Sequence, residues 1–319
     1  MNYDIFNGDA DGIIALLQLR LATPQTATLI TGVKRDINLL AQLPTTSGED
    51  SVTVLDISMV KNSKALHQLI DSGADVFYAD HHQSGEIPQA DNLDAHIDLA
   101  PNTCTGLIVD KLLNGKYHAW AITAAYGDNL LSIADALADT AGFDALKKSQ
   151  LKELGTLINY NGYGEQLEDL HFHPADLYQS LLQYSSPFAV IDDHHSPFYV
   201  LQHAYQEDIK TICSLDPFYQ SSILSVFSLP NTATSRRISG VFGNQLANES
   251  PNSAHAVLTE NSDGSFKVSL RAPLNNKRKA GEICSQFPTG GGREAAAGIN
   301  ALPAKDVTRF IEAVTACYQ

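Results

Sequence analysis

The sequence has little cysteine, no long apolar run and too few basic residues to balance its acids. Four cysteines in 319 residues (Cys104, Cys213, Cys284, Cys317) lie far apart with no CxxC pair. That excludes a disulfide framework and a zinc ribbon, and reduced thiols are expected. No stretch approaches the roughly 18 apolar residues that a bilayer-spanning helix requires. The first residues, MNYDIFNGD, carry no basic segment ahead of an apolar one, so a cytoplasmic chain with no membrane partner is expected. Lys and Arg number 21 against 36 Asp and Glu, a formal charge of -15. Long nucleic acid is gripped through many Lys and Arg contacts to phosphate and demands a basic footprint. Its absence argues against long strands and leaves room for a small phosphorylated ligand in a local basic pocket. Hydrophobic content of 44% and a mean hydropathy of -0.12 describe a globular chain, neither disordered nor membrane-embedded.

What is present reads as two domains, because 319 residues exceed the common size of a single one. In the first half, β-branched and aromatic runs alternate with helical patterns, the signature of βαβ units on a parallel sheet. The strands expected are Tyr3 to Asn7, Thr28 to Gly32, Val52 to Ile57 and Val76 to Asp80, with helices Gly12 to Leu21 and Ser63 to Ser72 between them. A helix-rich stretch follows from Thr105 to about Leu157. The segment SSPFAVIDDHHSPF, Ser185 to Phe198, reads as a boundary. The division expected is therefore 1–184, a linker over 185–202, and a smaller α/β domain over 203–319, with a cleft between the domains. In that second domain the pattern predicts a strand near Ile223 to Leu229 and a helix from about Ser235 to Ala247. It also predicts a hairpin turning at Asp263-Gly264. A short helix near Arg278 to Gln286, a glycine run, a strand near Ala297 to Leu302 and a closing helix from about Lys305 complete it.

In open α/β sheets ligands bind at the carboxyl ends of the strands, and here those ends are acidic. Strand one ends in NGDADG, which sets Asp9 and Asp11 two residues apart on a turn into a helix, where both can face one ion. Strand three ends in VTVLDIS with Asp56, strand four in VFYADHH with Asp80, His81 and His82, and AAYGDNL places Asp128 between helical segments. A lone Asp after a strand is usually a turn or cap residue. Four acidic elements in register with the strand ends point to a metal centre. Carboxylates with one imidazole and no thiolate suit Mn²⁺ or Mg²⁺ better than zinc.

The ordered set DxD, D, DHH, D resembles the DHH phosphoesterase family. That family includes RecJ-type exonucleases, oligoribonucleases, pAp phosphatases, linear and cyclic dinucleotide phosphodiesterases and family II pyrophosphatases. The resemblance implies two divalent cations, most readily Mn²⁺. One would be held by Asp9 and Asp56, the other by Asp11, Asp56, His81 and Asp128, with Asp80 in a supporting position and His82 reaching the substrate phosphate. Such a pair of ions acidifies a water and neutralises phosphoryl charge. Two departures stand in the first motif: Ile5 replaces a histidine common in the family, and Asn7 stands where RecJ-like members have Asp, as a weak ligand or a turn former. A second DHH string, Asp193-His194-His195, falls outside the motif order, and His171 and His173 lack identifiable partners; both groups are expected to be structural.

FPTGGGREAAAG, Phe287 to Gly298, resembles the GGGHxxAAG signature of the DHHA-type domain. Gly290, Gly291 and Gly292 allow close approach to a phosphate or terminal nucleotide. Arg293 stands where the family has His and still offers a charged fork. Arg271, in KVSLRAP, matches an arginine that this domain directs at substrate. Arg236 and Arg237 in SRRISG resemble a pyrophosphatase element, but the residues that follow do not match. Lys34 and Arg35, after strand two, are secondary candidates for steering a phosphate. The activity expected is hydrolysis of dinucleotides or very short oligonucleotides to mononucleotides, with homodimerisation left open. The alternatives are a pAp phosphatase, a cyclic-dinucleotide phosphodiesterase, and an inactive nucleotide-binding regulatory protein.

Overall fold

A computed structural model describes residues 1–212 and 215–319; Cys213 lies outside the described residues, and Cys104, Cys284 and Cys317 are free thiols. The chain divides into two compact units, Met1–Ala204 and Tyr205–Gln319.

The first unit is built on a five-stranded sheet, parallel throughout, in the order β2-β1-β3-β4-β5. Its strands are β1 (Asn2–Phe6), β2 (Thr28–Ile30), β3 (Ser51–Leu55), β4 (Asp75–Asp80) and β5 (Leu93–Ile97). The helices are α1 (Ala10–Ala22), α2 (Ser63–Asp71), α3 (Thr105–Leu112), α4 (His118–Gly127), α5 (Leu131–Thr140), α6 (Ala145–Gly162), α7 (Pro174–Leu181) and α8 (Pro187–Asp192), with α9 (Pro197–Ile212) running across the division. Chain order reverses between β1 and β3, which makes their carboxyl ends the switch point where such sheets bind ligands. One sheet face packs Tyr3, Ile5, Val52, Val54, Val76 and Tyr78 against Leu66 and Leu69 of α2. Helix α1 buries nearly every residue it has, as a helix covered on all sides must. Its Arg20 reaches back to Asp4 of β1, with Nε to Oδ2 at 2.9 Å, and to Thr53 Oγ1 of β3 at 3.0 Å. Helices α4 and α6 cross closely because Gly127 and Gly155 face each other: a Cβ on Gly155 would lie 2.3 Å from the Thr123 carbonyl.

Within 185–202, expected as a linker, α8 spans Pro187–Asp192 and α9 begins at Pro197. Ser186 caps α8, and Pro187 and Pro197 open their helices at the first turn, where proline's fixed φ and missing N–H cost nothing. Strand β5 was not foreseen.

The second unit holds a six-stranded mixed sheet in the order β10-β11-β9-β8-β7-β6. Its elements are β6 (Tyr219–Gln220), β7 (Leu224–Leu229), α10 (Ala233–Glu249), β8 (Ala254–Glu260), β9 (Phe266–Arg271), α11 (Ala280–Cys284), β10 (Gly290–Gly292), β11 (Ala296–Leu302) and α12 (Val307–Tyr318). Strands β7 and β8 are parallel and the other neighbours antiparallel. The glycine run is thus an edge strand, paired through Gly291 with Gly298.

Candidate metal centre

The turn NGDADG joins β1 to α1 and is organised by its own side chains. Asp9 is the N-cap of α1, its Oδ1 accepting from the amides of Asp11 at 3.0 Å and Gly12 at 3.1 Å. Asn7 Oδ1 accepts from the Asp9 amide at 3.2 Å, and Asn7 Nδ2 donates to the Lys34 carbonyl at 3.1 Å. Asn7 thereby ties this turn to the segment after β2. Asp11 accepts from the amides of Thr105 and Gly106, both at 2.7 Å, at the N-terminus of α3, where exposed N–H groups favour an anion.

Just past β3, Asp56 adopts φ 58°, left-handed backbone that Asp tolerates better than most residues. Its Oδ1 accepts from Thr105 Oγ1 at 3.1 Å. At the end of β4, His81 places Nδ1 3.1 Å from the Thr103 carbonyl. Donation there leaves Nε2 as the outward nitrogen, the arrangement by which metal-binding histidines are oriented. Nε2 lies 3.4 Å from Asp56 Oδ1, 3.8 Å from Asp11 Oδ2 and 3.9 Å from Asp128 Oδ2. Asp128 arrives from the C-terminal end of α4. His82 Nδ1 lies 2.7 Å from Asp80 Oδ1, and Asp80 is fully buried, its Oδ2 without a hydrogen-bond partner among the described residues.

Sequence-predicted residues Asp9, Asp11, Asp56, Asp80, His81, His82 and Asp128 therefore converge at one place. Donor atoms around one six-coordinate ion of the Mg²⁺ or Mn²⁺ type, each at about 2.1 Å, lie about 3 Å apart when adjacent and about 4.2 Å when opposite. The spacings around His81 Nε2 fall in that range, so this donor set fits a divalent cation. Asp56, His81 and His82 also offer ligand atoms within 4.8 Å of one another.

The electrostatics agree. Burial, together with the charges of Asp11 and Asp9, pushes the Asp56 carboxyl well above the usual carboxylate range. Burial likewise raises Asp11, with His81 opposing and Asp128 and Asp9 adding to it. Asp9 goes the other way: burial disfavours its charge, but the Lys34 ammonium overrides this and holds it at about 2. Burial also works against a charged His82, yet its hydrogen bond to Asp80 and the charge of Asp56 raise it. Carboxylates that resist ionising mark a cluster short of positive charge.

Lys34, expected to steer substrate, instead enters the carboxylate cluster. Its Nζ lies 2.5 Å from Asp9 Oδ2, 3.0 Å from Asn159 Oδ1 and 4.0 Å from Asp128 Oδ1, and 5.4 Å from the centroid of the Tyr163 ring. Burial opposes its charge, but Asp9 raises its pKa far above that of an ordinary lysine. Sequence reasoning missed Asn159, Thr105 and Cys104. Thr105 was detectable as part of NTCTG at the head of an apolar helix; Asn159 lies in the last turn of α6 and carries no local signal. Cys104 is buried beside Asp11, and burial pushes its thiol well up, so it stays protonated. Of the residues set aside, Asp193 accepts from Tyr184 Oη and the His195 amide, His171 pairs with Tyr160 Oη, and His173 caps α7. Arg35 is half-buried.

In the second unit Arg271 is anchored to α10. Its Nε donates to Asn244 Oδ1 at 2.7 Å, and its terminal nitrogens to Ser269 Oγ at 3.0 Å and the Gly240 carbonyl at 3.4 Å. Within the glycine run, a Cβ on Gly290 would meet the Cys284 carbonyl at 1.8 Å and one on Gly292 the Ala297 Cα at 2.4 Å, whereas Gly291 has nothing within 4 Å. Packing explains the outer two glycines and leaves the middle one open to approach from outside. Arg293 is exposed. Arg237 is bidentate to Asp208 at 2.8 and 3.1 Å, and Arg236 donates to Asn231 Oδ1.

Residues 222–319 match the family profile of the DHHA1 domain. Among solved structures, a RecJ exonuclease bound to manganese aligns over 99% of this chain and 89% of its own, with a TM-score of 0.56 at 15% identity. PggH of Vibrio cholerae, described as a pGpG-specific phosphodiesterase, aligns over 100% and 99%, with 0.56 at 12%. An exopolyphosphatase-related protein of Bacteroides fragilis aligns over 99% and 92%, with 0.53 at 13%. None of the curated proteins compared matches the sequence. Residues 222–319 thus carry the DHHA1 profile, and the chain as a whole shares the fold of these solved structures.

Proposed function

We propose that this chain is a divalent-cation-dependent phosphoesterase that hydrolyses linear dinucleotides or very short oligonucleotides to mononucleotides. The observation that carries the reading is the convergence of Asp11, Asp56 and Asp128 on His81 Nε2 at 3.4 to 3.9 Å, at the switch point of a parallel sheet. These four residues would hold the cation, with Mn²⁺ or Mg²⁺ suited to the donors. A cation bound there acidifies an attacking water and neutralises charge on the phosphoryl oxygens. The chain's own residues do the rest. Asp80 grips His82 through Nδ1, fixing the ring so that Nε2 faces away from Asp80 and meets a phosphate oxygen or the leaving oxygen. Thr105 and the first amides of α3 hold Asp56 and Asp11 in place. In the second unit, taken by itself, the open Gly291 and Arg271, held by Asn244, offer contacts for a phosphate.

Support for a short substrate comes from the -15 charge and from end-to-end alignment with PggH, described as acting on pGpG. The test is a product assay with Mn²⁺ across pGpG, other linear dinucleotides, pAp, cyclic dinucleotides, pyrophosphate and longer RNA and DNA. Turnover of linear dinucleotides to mononucleotides is expected, and a His81→Ala/Asp128→Ala variant should lose it. Preferred turnover of long strands would overturn the substrate class. Equal activity of variant and parent would overturn catalysis at this centre.

A further inference from the structure

We infer that the carboxylate cluster takes one divalent cation and that the Lys34 ammonium supplies its second positive centre. The inference rests on the cation-dependent reading above and concerns only the number of ions. Five of the buried carboxylate oxygens fall into two sets. Asp11 Oδ2, Asp56 Oδ1 and Asp128 Oδ2 surround His81 Nε2. Asp9 Oδ2 and Asp128 Oδ1 instead face Lys34 Nζ, at 2.5 and 4.0 Å. Asp128 presents one oxygen to each set.

Lys34 is held at both ends. Its amide donates to the Gly162 carbonyl at 2.9 Å, its carbonyl accepts from Asn7, and its Nζ donates to Asn159 as well as Asp9. A cation ligated by Asp9 Oδ2 at about 2.1 Å would share that oxygen with an ammonium already in contact with it. A dication and an ammonium so close repel strongly in a buried site. Asp9 offers no second place, because its Oδ1 is spent on the helix amides. Asn7 Oδ1 accepts from the Asp9 amide and its Nδ2 donates to the Lys34 carbonyl, so Asn7 is tied to the same turn as the ammonium. One dication and one ammonium together nearly balance Asp9, Asp11, Asp56 and Asp128, and a second dication beside the ammonium would exceed them.

Equilibrium dialysis of the full chain against Mn²⁺, with metal analysis and electron paramagnetic resonance, decides the matter. One Mn²⁺ per chain is expected, with the hyperfine lines of an isolated ion. Lys34→Met, which removes the charge and keeps the bulk, should raise the stoichiometry to two and give a spin-coupled signal. Asp9→Asn should still bind one. Two coupled ions in the parent chain would overturn the inference and leave the phosphoesterase reading intact. So would a Lys34→Met variant with parental circular dichroism that still binds one. Should that variant fail to fold, Asp9→Asn decides alone, a fall from two ions to one being the overturning result. No Mn²⁺ bound by the parent would sink the reading beneath it.

Discussion

His82 and Asp80 work as a pair, because the fully buried Asp80 spends one oxygen on His82 Nδ1. Asp80→Asn removes the group that raises the His82 pKa. The pH at which His82 loses its proton should then fall, as read by NMR titration of the imidazole, and activity should drop by about 10- to 100-fold. An unmoved titration would show that Asp80 does not set the ring's charge. The carboxylates make a second prediction. Asp56 and Asp11 have raised folded-state pKa values, so above about pH 4 the folded chain binds protons that the unfolded chain has released. Stability without metal should therefore fall as pH rises through that window. His82 acts in the same sense: its raised pKa contributes stability that is complete below about 6.5 and lost as pH rises through the folded value. Asp9 has the opposite sign, but its contribution is lost only as pH falls toward about 2. Melting temperatures in chelator should thus increase on acidification from neutrality, and saturating Mn²⁺, which binds the deprotonated ligands, should abolish the trend. A chelated protein that melts higher at pH 7 than at pH 5 would contradict this. At this scale the acidic residues that the structure brings together were legible, Asp9, Asp56 and Asp80 at strand ends and Asp128 after α4. Lys34 was singled out in sequence as a candidate for steering a phosphate, and nothing local shows that Asn159, 125 residues away, draws its ammonium inward.

Elements are tied together by buried polar contacts as well as by apolar packing. Arg20 of α1 binds Asp4 of β1 and Thr53 of β3, with both charged groups almost fully buried. Asp4→Asn leaves the guanidinium buried and uncompensated and should cost about 3 to 5 kcal/mol. Asp4→Leu/Arg20→Met should recover much of that loss, as measured by urea unfolding. A single variant as stable as the parent would show that the pair contributes little to holding α1 on the sheet. The glycine strand gives a contrasting pair. Gly290→Ala forces a Cβ against the Cys284 carbonyl and should cost about 1 to 3 kcal/mol. Gly291→Ala meets nothing, so its melting temperature should match the parent's while KM for a dinucleotide rises; an unchanged KM would remove Gly291 from the binding surface. Most elements could be read from periodicity. Strand β5 escaped because it lies at the sheet edge with alternating Asp94 and His96 and only half-buried neighbours. The helices within 185–202 escaped because proline at a helix start looks, in sequence, like proline in a loop.

For the molecule as a whole, the -15 charge sets how it meets a phosphorylated partner. Proteins that neutralise many phosphates of a long strand lose about 10³ to 10⁵ in affinity between 50 and 200 mM salt. For this chain, kcat/KM on a dinucleotide should change by less than about tenfold over that range, because few phosphates are engaged and screening also relieves repulsion from the acidic surface. A steep fall with salt would indicate an extended basic track. Strands of both sheets were legible because apolar periods repeat within each half. The two compact units divide at Ala204 and Tyr205, within α9.

The left-handed backbone of Asp56 narrows what heredity can do at this position. Two unrelated filters act on the same side chain: a carboxylate is wanted between Thr105 and His81, and φ 58° favours Gly, Asn and Asp. Asparagine passes the conformational filter and loses the charge, while glutamate keeps the charge and fails the backbone. Aspartate alone passes both, so drift among chemically similar residues, harmless at many surface positions, has no neutral path here.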